Sequence, residues 1–125
     1  MSEKLTIVCI DDERSFQAEL EEGSDIHYAR TSADGIALLK DLQEKGVEVA
    51  EIWLDHDLGE TNEPPYWDTI MPVVAWLEEL GHAGTPYPCI GIVIHTMNFS
   101  AVPAMNAALS PYYHVTRESP IRMFR

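Results

Sequence analysis

The sequence predicts an α/β domain in which a five-stranded parallel sheet is covered by helices on both faces, three layers deep. Three observations carry this reading. Leu5–Ile10, Val49–Leu54 and Cys89–Ile94 are nearly continuous apolar runs, as expected of strands buried on both faces; a half-exposed antiparallel sheet would alternate. Segments with helical spacing separate these runs, as parallel crossovers require. Finally, 125 residues, 46% of them hydrophobic, suit a single domain, 1–125, with a sizeable core.

Taken in order, Leu5–Ile10 is a first strand that ends abruptly in Asp11-Asp12-Glu13. Residues 14–22 have the composition of a short helix, Gly23-Ser24 punctuates it, and Ile26–Ala29 reads as a second strand. Ser32 offers an N-cap to a helix whose apolar face is Ile36, Leu38, Leu39 and Leu42, with Gly46 as its stop. Val49–Leu54 is the third strand and also terminates in charge, at Asp55-His56-Asp57. A polar, proline-containing loop over 59–67 leads to a helix over 70–80 that packs through Val73, Val74, Trp76, Leu77 and Leu80, with Pro72 in its first turn. Cys89–Ile94 is the fourth strand and delivers His95, Thr96 and Asn98. A small-residue helix over 101–109 and a last strand over 112–115 complete the pattern, followed by Thr116 and Arg117. Open sheets of this kind bind ligands beyond the carboxyl ends of their strands, where nearly every unusual polar residue of this chain falls.

The formal charge is −13, and residues 1–63 hold 17 of the 21 acids but only five of the eight bases. No Lys or Arg occurs from 47 to 116, which argues against an extended nucleic-acid groove. A single nucleotide or RNA-end phosphate docked through a metal is compatible with this balance, as is a cationic protein partner. Cys9 and Cys89 lie in apolar runs without zinc or redox spacing and read as unpaired structural thiols. The start has no signal-peptide pattern, and no apolar run is long enough for a membrane span, so the expectation is a cytoplasmic protein that makes no membrane contact.

An acidic pair after strand one, an aspartate after strand three, a hydroxyl after strand four and a base after strand five together resemble the response-regulator receiver fold. The residues concerned are Asp11 and Asp12, Asp55, Thr96 and Arg117. Two strings, LDHDLG at strand three and IHTMN at strand four, depart from ordinary receivers. They resemble a divergent branch, the cyclic-phosphate-processing receiver domain, as do the Val73–Leu77 helix core, Met105 and the YYHVTR ending. The resemblance covers roughly residues 5–121. It departs at Asn98-Phe99-Ser100-Ala101, where relatives tend to have Asn-Pro followed by Gly, and at Arg117-Glu118, where receivers keep Lys-Pro. It implies a flavodoxin-like strand order 2-1-3-4-5, a missing or shortened last helix, and a role in processing cyclic phosphates at RNA ends.

That order would bring the carboxylates and the His95 box to one rim, where clustered carboxylates repel one another unless a cation neutralises them. Mg²⁺ or Mn²⁺ is therefore expected. Asp12 and Asp55 are the leading ligands, Asp11 and Asp57 are further candidates, and zinc is the competing metal. For catalysis, Asp55 is a ligand or nucleophile, His56 and His95 are proton carriers, Thr96 and Asn98 are phosphate-orienting donors, and Arg117 is a phosphate clamp. Strand alternation leaves open whether His56 points into the rim. Tyr66 and Trp67 could stack on a base or pack the loop.

Three functions follow: a metal-dependent cyclic phosphodiesterase, a receiver phosphorylated on Asp55, and a non-catalytic phosphate-sensing or interaction domain.

Overall fold

The computed structural model describes residues 4–12, 16 and 22–118. The strands are β1 (Leu5–Ile10), β2 (Ser24–Ala29), β3 (Val49–Leu54), β4 (Asp57–Glu60), β5 (Trp67–Thr69), β6 (Cys89–Ile94) and β7 (Val115–Arg117). The α-helices among the described residues are α1 (Ser32–Glu44), α2 (Met71–His82) and α3 (Val102–Leu109), the last preceded by a 3₁₀ turn, Phe99–Ala101. The main sheet is parallel, in the order β2-β1-β3-β6-β7. Counted among its own five strands this is 2-1-3-4-5, the order expected from the sequence. The expected helix over 14–22 and the shortened last helix fall largely outside the described residues.

Period-two alternation sends the side chains of each buried strand to two different cores. Val8, Ile10, Ile52, Leu54, Ile92 and Ile94 face the helices, meeting Leu39 and Leu42 of α1, Val73, Val74 and Leu77 of α2, and Met105 and Leu109 of α3. The other face carries Ile7 and Cys9 with Phe16, and Ile26, Tyr28 and Trp53 pack against them. Helix α2 lies between α1 and α3 and contacts both. Its Leu77 is fully buried, and truncation there would cost about 2–5 kcal/mol.

Several boundaries differ from expectation for identifiable reasons. Thr31, not Ser32, caps α1: its Oγ1 accepts the Asp34 N–H at 3.1 Å. Ser32 sits in the first turn instead, donating its hydroxyl and its N–H to the Asp68 carboxylate at 2.6 and 2.8 Å. The polar stretch after Asp55 is partly ordered as an antiparallel hairpin of β4 and β5, with Asp57 opposite Thr69 and Glu60 opposite Trp67. The last strand begins at Val115 rather than Tyr112 because the two tyrosines brace α2. The Tyr113 hydroxyl donates to the Leu77 carbonyl at 2.8 Å, and the Tyr112 ring packs over Gly81, where a Cβ would approach it to 2.4 Å.

Candidate functional site at the carboxyl edge of the sheet

The β-ladder continues one residue past the strand ends. The Asp11 N–H donates to the Ala29 carbonyl at 3.1 Å, Asp55 to Ile10 at 3.1 Å, His95 to Leu54 at 3.0 Å and Glu118 to Ile94 at 3.0 Å. Cys9, Trp53 and Val93 are register partners across β1, β3 and β6, so Asp11, Asp55 and His95 form the next row on the same sheet face. An apolar strand that ends in an acid thus holds that acid by main-chain bonds at the mouth of the core.

Carboxylate oxygens of Asp11, Asp12 and Asp55 lie within 4.8 Å of one another. Asp11 is fully buried, Asp55 is 4% exposed and Asp12 is half-buried. This donor set, three hard anionic oxygens with an open side at Asp12, fits a Mg²⁺- or Mn²⁺-sized cation. Gly59, at φ 95°, passes beside it: a Cβ there would stand 3.2 Å from Asp12 Oδ2, so the left-handed turn and the close approach both call for glycine.

The remaining candidates form a second group. Asp57 directs its carboxylate not into the cluster but to His56, whose Nδ1 lies 2.8 Å from Asp57 Oδ1. Asp57 was expected as a further ligand, but β3 stops at Leu54 and a new strand starts at Asp57, so the alternation of β3 does not carry on to it. Asn98 closes the group. Its Oδ1 accepts from Ser100 Oγ at 2.8 Å, which fixes the amide so that Nδ2 donates to Asp57 Oδ1 at 3.4 Å. With Nδ1–H of His56 donated to Asp57, the Nε2 lone pair remains for other chemistry. The Thr96 hydroxyl, 2% exposed, accepts the Asn98 N–H at 3.0 Å and braces the turn that carries this amide.

His95 stands apart from the solvent side. Its Nε2 is 3.0 Å from Asp11 Oδ2, and both side chains are completely buried. Arg117 is exposed, its guanidinium 4.9 Å above the ring of Phe99. On the other flank, Arg30 donates to the Asp11 carbonyl at 3.0 Å and stacks on Tyr28 at 4.9 Å. Sequence reasoning missed Arg30, Asp68 and Ser100. Arg30 had a readable signal, a base directly after a strand that ends at the same rim. Tyr66 and Trp67 are exposed at the far end of the hairpin. A concavity of about 760 Å³ lies at the amino ends of the strands around Leu5, Val47 and Ile90, away from this chemistry. Convergence of polar groups, not concavity, marks the candidate site.

A five-stranded parallel sheet in this order, with a carboxylate cluster at the ends of its first and third strands, defines a receiver-like α/β domain. More narrowly, the chain belongs to the cyclic-phosphate processing receiver domain family, whose sequence profile matches residues 6–111. No curated protein matches the chain. Among the described residues no helix is long and apolar enough to cross a membrane.

Proposed function

We propose that this domain is a metal-dependent phosphodiesterase that opens a cyclic phosphate on a nucleotide or RNA end. The observation that carries the reading is the pairing of two groups at one sheet edge: a three-carboxylate cluster open at Asp12 and, one residue after Asp55, a histidine oriented by its own carboxylate. Asp11, Asp12 and Asp55 would hold Mg²⁺ or Mn²⁺, which supplies polarisation of a phosphoryl oxygen and offsets the charge of the acids. The family's link to cyclic-phosphate processing supports the same substrate chemistry.

In this reading His56 Nε2 accepts the proton of a water whose oxygen attacks phosphorus. One ring P–O bond breaks, the leaving alkoxide takes a proton from solvent, and a phosphate monoester with a free hydroxyl results. Asp57 holds the ring tautomer and stabilises the imidazolium that forms, and Asn98 and Ser100 hold Asp57. Arg117, at the end of β7 with β6 between it and β3, offers its guanidinium to a phosphate oxygen.

The test is to incubate the full chain with Mg²⁺ or Mn²⁺ and 2′,3′-cyclic nucleotides, a cyclic-phosphate-ended RNA or a small phosphoryl donor. Ring opening is expected, abolished by Asp55→Asn and slowed about 10²–10⁴-fold by His56→Ala. A folded, metal-binding sample that opens no ring overturns the proposal. Stable phosphorylation of Asp55 without ring opening would replace it with a phosphate-accepting receiver.

A further inference from the structure

We propose that His95 is a positioning residue for Asp11: a fixed hydrogen-bond donor that ties the cation cluster across the sheet, not a proton carrier to substrate. The inference rests on the reading that Asp11, Asp12 and Asp55 hold a divalent cation. Asp11 follows β1 and His95 follows β6, and β3 lies between those strands. Two strand spacings, roughly 9–10 Å, are bridged by one imidazole and one carboxylate meeting at 3.0 Å, with no exposure of either side chain. The ring lies against Trp53, centroids 5.6 Å apart, and Trp53 in turn packs edge-on to Phe16 at 4.9 Å. The imidazole therefore packs against aromatic surface as well as against Asp11.

The partners settle which nitrogen carries hydrogen. A carboxylate oxygen only accepts, so Nε2 is the donor. Among the described residues Nδ1 is buried with no hydrogen-bond partner, so it is the bare nitrogen; a hydrogen there would be a buried donor left unsatisfied. One nitrogen is thus committed to Asp11, and the other has no hydrogen-bond partner among the described residues through which a proton could pass. What the contact does is fix the plane of the Asp11 carboxylate. Outer partners of metal ligands act in this way, and their loss typically weakens metal affinity about 10–100-fold.

The experiment titrates the metal-free full chain with Mn²⁺ alone, by calorimetry, for the wild type, His95→Ala and His95→Gln, with thermal unfolding recorded for each. Gln can present an amide N–H towards Asp11, so it is expected to bind Mn²⁺ within a few-fold of wild type, while Ala loses about 10–100-fold. Equal affinity in all three, or equal loss in both variants, overturns the positioning role while leaving the cation cluster intact. Failure of the wild type to bind Mn²⁺ overturns the cluster reading, and the positioning role with it. Metal-free wild type offers a second measurement should the alanine variant not fold. A long-range ¹H–¹⁵N spectrum is expected to show His95 protonated at Nε2, and protonation at Nδ1 refutes the assignment.

Discussion

Replacing Asp55 by Asn should stabilise the metal-free protein, the opposite of the usual result at a buried, ordered position. Asp55 shares its cluster with Asp11 and Asp12, every pair of ligand oxygens lying within 4.8 Å. Two like charges at that separation repel by about 3.5 kcal/mol at an effective dielectric of about 20, and by about 1 kcal/mol in bulk water. Asp55→Asn removes two such repulsions, about 2–7 kcal/mol between those limits, and gives up roughly 1 kcal/mol of hydrogen bonding, leaving a net gain of about 1–6 kcal/mol. At about 4 °C per kcal/mol for a chain of this size, that is about 4–24 °C in Tm. The assay is thermal unfolding of wild type and variant after exhaustive chelation, repeated with Mg²⁺. At a hundredfold excess over Kd the ion adds about 2.7 kcal/mol to the wild type and little to the variant, so the order of stability should narrow or invert. A metal-free variant that melts at or below the wild type would refute the electrostatic account of the rim.

Asp68→Ala removes two charge-assisted hydrogen bonds at the start of α1 and is expected to cost about 2 kcal/mol, with faster amide exchange at Ser32 and across the hairpin over 57–69. Gly59→Ala forces a Cβ into a left-handed turn 3.2 Å from Asp12 Oδ2; a loss of about 1–2 kcal/mol and weaker Mn²⁺ binding should appear together, and unchanged binding would contradict the contact. Burial pushes Cys89 from its ordinary 9.0 to about 11 and Tyr87 from 10.0 to about 12. Both are uncharged when protonated, and the unfolded chain ionises first. Their contribution is therefore complete below pH of about 9 and is lost as pH rises towards 11–12, so urea midpoints should fall across that window. A flat profile would contradict burial of these groups.

The strands that build the site were legible because a buried parallel strand is an apolar run, and the acids that end β1 and β3 interrupt it sharply. The clustering of Asp11, Asp12 and Asp55 follows from those two endings and the strand order. Roles within the site were less legible. His95 shares a sequence box with Thr96 and Asn98, yet its side chain turns to the opposite face and is sealed there, a difference that one residue of strand parity decides. Asp57, expected as a further ligand, turns to His56 instead, because the alternation of β3 ends at Leu54. The hairpin over 57–69 escaped notice because its strands are short and its turn contains Pro64 and Pro65, so no periodicity marks it. Tyr112 and Tyr113 imitate a strand in composition but are spent on holding α2.

The side-by-side row of Asp11, Asp55 and His95 makes this chemistry unusually sensitive to counting. Deleting Trp53 would substitute His56 for Asp55 at the mouth, or else turn Ile52 away from the helices. Point changes in β3 can be absorbed by repacking, whereas a gain or loss of length cannot. Chains of this architecture that differ in length are therefore expected to vary in their loops and to keep the span from Val49 to Asp55 at a constant number of residues.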